Sequence, residues 1–427
     1  MKRSMRARIL VLVVIALVVA ATLLLSLTGS STTTANSTTT ARPHLTAPPT
    51  TSAPVTPPGY LSTRGTHIED SSGAVVQLTG YNVTGMESTN PDGTDVPGIC
   101  NNGWRPLTSG EVAQIAGYGL NSVRLPVAWG NLEPSPPTVA AGGTLEHHWN
   151  LPYLAALDDE ISQLGAAHLR VILDMHQSNW SAAFTAPAIA KKPGCPGSGM
   201  PVWLNPGAAG ETSQAAACNF YSGQTEPGVP GPVWGDFAAV EAFLDSRYTN
   251  NPTVVAQDIV NEPNCGRASA NLTGFYSYVA PLVHRSNPQL LLMVEDKEDP
   301  GSFRVTQLPP VPNLVYSVHL HEDYWTAPSP QQSPLPVTAQ EALTADFQRA
   351  AQWNVPLYVG EFYAFDATQN QSGDRQPDQN WVDDTAAFLD FAKQHDISWT
   401  YWAWIQKSHP EVQPEVTPAI QVALQRG

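Results

Sequence analysis

The chain is 427 residues long, with 37 acidic and 21 basic side chains and a formal net charge of −16. A surface of that sign repels a phosphate backbone, so a nucleic-acid partner is excluded while a neutral polysaccharide stays compatible. Four cysteines without a C-x-x-C pair argue against a metal knuckle.

Lys2, Arg3, Arg6 and Arg8 precede a charge-free, mainly apolar run from Ile9 to Leu27. A basic flank followed by such a run is an export signal, with its positive end left in the cytoplasm. The run is also long enough for a single bilayer span. Residues 1–29 therefore read as a signal peptide or a retained membrane anchor, and the rest of the chain is expected outside the cytoplasm. Residues 30–59 are dominated by Ser, Thr, Ala and Pro. They cannot bury enough apolar surface to offset the entropy of ordering, and read as an extended linker. In an oxidising setting the cysteines are expected in disulfides. Cys195–Cys218 within one long loop and Cys100–Cys265 between two others is the favoured pairing of the three possible.

Residues 60–427 read as one domain in which short apolar runs alternate with helical periodicities. The strand candidates are Val75–Asn82, Ser122–Pro126, Val171–Met175, Val254–Asn261, Leu290–Val294, Leu314–His319, Leu357–Gly360 and Trp399–Trp402. The clearest helical stretches are Leu154–Ala167, Phe237–Tyr248, Thr273–Arg285, Glu341–Trp353 and Trp381–Gln394. A further helix is expected near Pro418–Gln425. Strands that are apolar throughout, each followed by a helix, predict a parallel sheet closed on itself, a (β/α)₈ TIM barrel. The carboxyl ends of its strands share one face, where active sites lie. Between His176 and Trp234 lies an interval too long for an ordinary loop and rich in Gly, Pro and aromatics. It reads as a structureless insert serving as a lid or cleft wall.

Two of the strand runs end on a glutamate. Val255–Val260 leads into Asn261-Glu262-Pro263, where the proline stops the sheet ladder. Val359-Gly360 leads into Glu361, 99 residues later. That separation is three units of 33, a normal strand-helix repeat, and puts Glu262 on the fourth strand and Glu361 on the seventh. A lone glutamate at a strand end is more often a rim ion pair. Two of them, three units apart, form the carboxylate pair that a glycoside hydrolase places on either side of a sugar linkage.

With these glutamates, Gly119-Leu120-Asn121-Ser122-Val123-Arg124-Leu125-Pro126 stands at the second strand and Leu173-Asp174-Met175-His176-Gln177 at the third. Ser317-Val318-His319 marks the sixth and Tyr401-Trp402 the eighth. The set, in this order from about Val75 to Trp404, resembles glycoside hydrolase family 5, the cellulase family of retaining (β/α)₈ barrels. The resemblance implies Glu262 as acid/base and Glu361 as nucleophile. Arg124 would favour the ionised form of Glu361, whose charge would in turn favour the protonated form of Glu262. Asn261 is expected to hydrogen-bond the sugar 2-hydroxyl, His176 and His319 to line the sugar subsite, and Trp402 to form a flat platform beneath the ring. Where the family carries His-x-Tyr, this chain has His319-Leu320-His321, so His321 or Tyr324 would take the tyrosine's part. Trp180, Trp325 and Trp404 are further sugar-stacking candidates. No cofactor is implied. His319 and His321 on one side of a strand raise a metal reading, but metal-dependent barrel hydrolases need carboxylate and further histidine ligands at matching strand ends and usually carry His-x-His on the first strand, not the sixth.

The reading is therefore an endo-acting, retaining β-glycosidase, expected as a monomer and directed at β-1,4-glucan or a related β-glycan. Removal of glycans from glycolipids, which a membrane anchor would suit, and a non-catalytic glycan-binding barrel are the alternatives.

Overall fold

The computed structural model describes residues 59–88, 106–177, 180–184, 199–204, 212–223, 232–265, 271–296, 305–320, 339–362 and 379–405. The expected signal or anchor, the linker and the helix near Pro418–Gln425 lie outside them.

Among the described residues, eight parallel strands form a closed barrel. They are β1 (Thr79–Thr84), β2 (Ser122–Val127), β3 (Arg170–Met175), β4 (Val254–Asp258), β5 (Leu291–Glu295), β6 (Leu314–Leu320), β7 (Leu357–Phe362) and β8 (Ser398–Ile405). They pair in sequence order, and β8 closes on β1 with Trp399 opposite Thr79. Both faces of each strand are covered, which is why the runs read as apolar throughout. The first strand starts four residues later than expected. Val75 is 47 % exposed and bridges to Glu69, so this stretch belongs to an antiparallel hairpin (Leu61–Arg64 with His67–Asp70) that precedes the barrel. Leu61 and Ile68 of that hairpin pack with Ile172, Leu291, Met293 and Tyr358, plugging the amino-terminal end of the barrel. Gly80 lets β1 approach β2: a Cβ there would lie 2.0 Å from the Ser122 carbonyl oxygen.

Among the described residues, the helices longer than a single turn are α1 (Ser109–Gly117), α2 (Leu151–Ala166), α3 (Ser213–Tyr221), α4 (Val233–Arg247), α5 (Leu272–Ser286), α6 (Ala339–Trp353) and α7 (Gln379–Gln394). Five match the periodic stretches. The short α1 was not singled out from periodicity, although its start carries a full capping box, Thr108 with Glu111. A second, larger core of aliphatic and aromatic side chains lies between strands and helices.

The interval after β3 corrects the expectation of a structureless insert. Its described parts include α3 and two single-turn helices, Ala182–Phe184 and Val202–Leu204. Trp180, Phe220 and Tyr221 meet Phe275 of α5 in an edge-on aromatic cluster. The Trp203 indole donates to the Glu133 carbonyl oxygen at 2.8 Å. Aromatics in a loop thus mark a satellite core in this part of the chain. The expected Cys195–Cys218 bond is also corrected. Cys218 keeps a free thiol, its Sγ 2.7 Å from the Cys265 carbonyl oxygen, while Cys100 and Cys195 lie outside the described residues.

Candidate active site

At the carboxyl-terminal rim, side chains from five other strands converge on one guanidinium. Arg124, on β2, is fully buried. It donates to Asn82 of β1 at 3.0 Å and to Glu361 of β7 at 2.8 Å through Nη1. Its Nε and Nη2 both reach Asp258 Oδ2 of β4, at 3.1 and 3.0 Å. Nη2 also donates to Asn261 Oδ1 at 2.9 Å and stands 3.0 Å from Asp174 Oδ1 of β3 and 3.7 Å from Glu295 Oε2 of β5. The five N–H donors of an arginine in a fixed fork suit this arrangement, and a lysine's single ammonium does not.

The two glutamates from β7 and from the end of β4 share this rim. One carboxylate oxygen each of Glu262 and Glu361, with a ring nitrogen of His319, all lie within 4.8 Å of one another. Glu361 is buried against Arg124, while the Glu262 side chain is 23 % exposed and faces the opening. His319 Nδ1 is 3.0 Å from Glu262 Oε1 and 3.8 Å from Glu361 Oε2. A Cβ at Gly360 would lie 2.7 Å from His319 Nε2, so the glycine before Glu361 makes room for this imidazole. Glu262 has φ +43°, left-handed backbone that costs a non-glycine residue about 1–3 kcal/mol and persists only where its surroundings fix it.

Asn261 is 1 % exposed, and both ends of its amide are engaged within the protein. Oδ1 accepts from Arg124, and Nδ2 donates to the Gln177 carbonyl oxygen at 3.2 Å. His176 pairs through Nδ1 with Asp174 Oδ2 at 2.8 Å, and its ring stacks on Trp402 with centroids 5.6 Å apart. Trp402 is half-buried, whereas Trp180 and Trp404 are buried in the core. His321, Tyr324 and Trp325 lie outside the described residues.

The interior holds more carboxylates than cations, and burial decides which ionise. Burial, together with the charges on Asp174 and Glu361, pushes Asp258 up to about 7 despite Arg124. Glu295 is raised well above the usual carboxylate range by burial and by the Asp258, Glu262 and Asp174 charges. His319 is lowered by burial, against the pull of Glu361 and Glu262. For His176, burial is outweighed by the charge and hydrogen bond of Asp174, lifting its pKa from 6.5 to about 9.

This last shift has a measurable consequence. A raised histidine pKa contributes stability that is complete below about pH 6.5 and is lost as pH rises through about 9. The shift corresponds to roughly 3 kcal/mol. Wild type is expected to melt lower at pH 9.5 than at pH 6, and His176→Gln should show a smaller drop, the remainder coming from raised carboxyls such as Asp258 and Glu295. An equal pH-dependent drop in both proteins would disprove it.

Glu262, His319 and Glu361 could together offer three donor atoms to a cation. In the structure Glu361 already pairs with Arg124, and His319 with Glu262. From sequence, Asn82, Asp174, Gln177, Asp258 and Glu295 stood in or beside the strand runs with no assigned role. A signal for the acids was present. Asp174, Asp258 and Glu295 are charged residues at the ends of otherwise apolar buried strands, and buried charges need partners.

Comparison with known proteins places the chain among characterised folds. The family model for "Cellulase (glycosyl hydrolase family 5)" matches residues 70–408. A probable glucan 1,3-beta-glucosidase A from Aspergillus clavatus is 31 % identical over 201 residues, 44 % of this chain and 36 % of that protein. An endoglucanase from Paenibacillus polymyxa is 25 % identical over 250 residues, 56 % of this chain and 50 % of that protein. The matches thus span between about a third and half the length of these curated relatives. Among solved structures, an endogalactoceramidase superposes with a TM-score of 0.62 at 24 % identity, covering 81 % of this chain and 75 % of that one. Endo-glycoceramidase II from Rhodococcus sp. in its ganglioside GM3 complex gives 0.62 at 19 % identity, covering 84 % and 81 %. At these identities the structural likeness speaks for the fold.

Proposed function

The chain belongs to the cellulase family, glycosyl hydrolase family 5, and from that membership we propose that it is a retaining endo-β-glycosidase acting on a β-glucan or related β-glycan. The observation that carries this reading is the pair of strand-end glutamates with oxygens no more than 4.8 Å apart. Retention needs carboxyl groups roughly 5–5.5 Å apart, while inversion needs about 6.5–9.5 Å to seat a water between them.

In this reading Glu361, held in line by the Arg124 guanidinium, attacks the anomeric carbon. Glu262, exposed toward the opening, protonates the departing glycosidic oxygen. Forming the glycosyl ester consumes the Glu361 charge, so Glu262 can then take a proton from the water that attacks the same carbon and releases the sugar. His319, its pKa lowered by burial, keeps Nδ1 3.0 Å from Glu262 Oε1 and so orients that carboxyl. His176 and Trp402, stacked together at the rim, are the surface offered to the sugar. The basic flank and apolar run at residues 1–29 support placing the enzyme outside the cytoplasm, secreted or anchored.

A glycolipid is the second substrate class, favoured by the similarity in fold to an endogalactoceramidase and to a glycoceramidase solved with a ganglioside. Carboxymethyl cellulose, a β-1,3-glucan, mannan and a ganglioside would be assayed side by side, with the first-formed anomer read by proton NMR. Release of β-configured reducing ends from one of them is expected. Binding without release over long incubation, or an α-configured first product, would sink the proposal.

A further inference from the structure

Glu262 must hold its carboxyl over the glycosidic oxygen from a backbone conformation that glutamate rarely adopts, φ +43°. Something has to fix that peptide, and two buried side chains do so. On one side, Glu295 Oε1 accepts the Glu262 main-chain N–H at 2.9 Å. On the other, Gln177 Nε2 donates to the carbonyl oxygens of Glu262 and Asn261, at 2.9 and 3.1 Å. Glu295 is fully buried at the end of β5. Its Oε1 also lies 3.5 Å from His319 Nε2, and the other nitrogen of that ring stands 3.0 Å from Glu262 Oε1. One carboxyl oxygen therefore touches both supports of the acid/base: the N–H that sets its backbone, and the imidazole that sets its side chain.

We infer that Glu295 is a positioning residue for Glu262, fixing its carboxyl over the leaving oxygen through the Glu262 N–H and through His319. The inference rests on the assignment of Glu262 as acid/base. The work is done by the reach of the side chain and by an acceptor oxygen. Negative charge is not required, in keeping with burial and three neighbouring carboxylates that favour the protonated acid. Glutamine preserves reach and acceptor without charge. Aspartate keeps the carboxyl but withdraws it by one methylene, away from both contacts.

The test compares wild type, Glu295→Asp and Glu295→Gln on two aryl β-cellobiosides. A dinitrophenyl group departs without protonation, whereas a phenyl group needs the acid. The readout is the ratio of kcat/KM for the phenyl to the dinitrophenyl substrate, a quantity that general loss of folded protein leaves unchanged. Glu295→Asp is expected to lower the ratio by about 10- to 10²-fold, as misplacement of a general acid does. Glu295→Gln should restore it to near the wild-type value. An unchanged ratio in Glu295→Asp, or an equal fall in Glu295→Gln, overturns the inference while leaving the parent reading standing. Wild type inactive on both cellobiosides and on the glycan panel overturns the parent reading, and this inference with it.

Discussion

Glu361→Ala should lose on the order of 10⁴- to 10⁶-fold in kcat on the glycan that wild type cleaves, the scale set by removing a nucleophile from other covalent catalysts. The substitution empties the position facing the anomeric carbon and leaves Glu262 and His319 on the other side of the site. A small anion can occupy the vacated space. Added azide should therefore restore turnover on a substrate with a good leaving group, giving a glycosyl azide of inverted configuration, because only one displacement then takes place. Azide consumption and product anomer, followed by NMR, make the check. Turnover within tenfold of wild type would remove Glu361 from the role, and rescue with retained configuration would mean that a second nucleophile exists.

The second large effect is expected at Arg124, on stability and turnover together. Arg124→Met keeps the stem and deletes the guanidinium shared by Asp174, Asp258, Glu295 and Glu361. Removing one partner from a buried ion network typically costs about 3–5 kcal/mol, because the remaining charges stay buried without compensation. The variant should respond to pH in a definite direction. Asp258 already titrates near 7 in the fold against 3.8 ordinarily, and without the guanidinium its pKa climbs further. A carboxyl with a raised folded pKa contributes stability below its unfolded value and loses it as pH rises toward the folded one. Arg124→Met is therefore expected to be best folded near pH 4–5 and to unfold toward pH 7 and above. Turnover should be lost even where it folds, since Glu361 and Asn261 lose their shared anchor. Thermal melts at pH 4.5 and 7.5 measure this, and a wild-type melting temperature at pH 7.5 would contradict it.

How much of this was readable beforehand depended on the kind of information each feature uses. Val254–Asp258 and Leu357–Phe362 announced themselves because a parallel strand covered on both faces is apolar throughout and stops where polar groups begin. The capping box at Thr108 was equally local, yet α1 escaped notice because a nine-residue helix gives periodicity little room. The aromatics between His176 and Trp234 look the same in sequence whether they line a cleft or pack inward. The fold sends Phe220 and Tyr221 against Phe275, and Trp180 against Phe220 and Tyr221. Val75 was apolar but exposed, drawn out of β1 by its bridge to Glu69.

By itself, the sequence determined the barrel, the order of its strands, and the placing of Glu262, Glu361 and Arg124 at carboxyl ends. Each of these follows from the alternation of apolar runs and helical periods along one chain. Only the tertiary structure decided that Arg124 reaches Asp258 and Asn82 as well as Glu361, that Asn261 spends its amide on protein partners, and that Glu295 holds the Glu262 peptide. Those contacts join residues from 33 to 237 positions apart. They are set by strand register and barrel closure, which fix the interior side chains that share a layer and which no local pattern records.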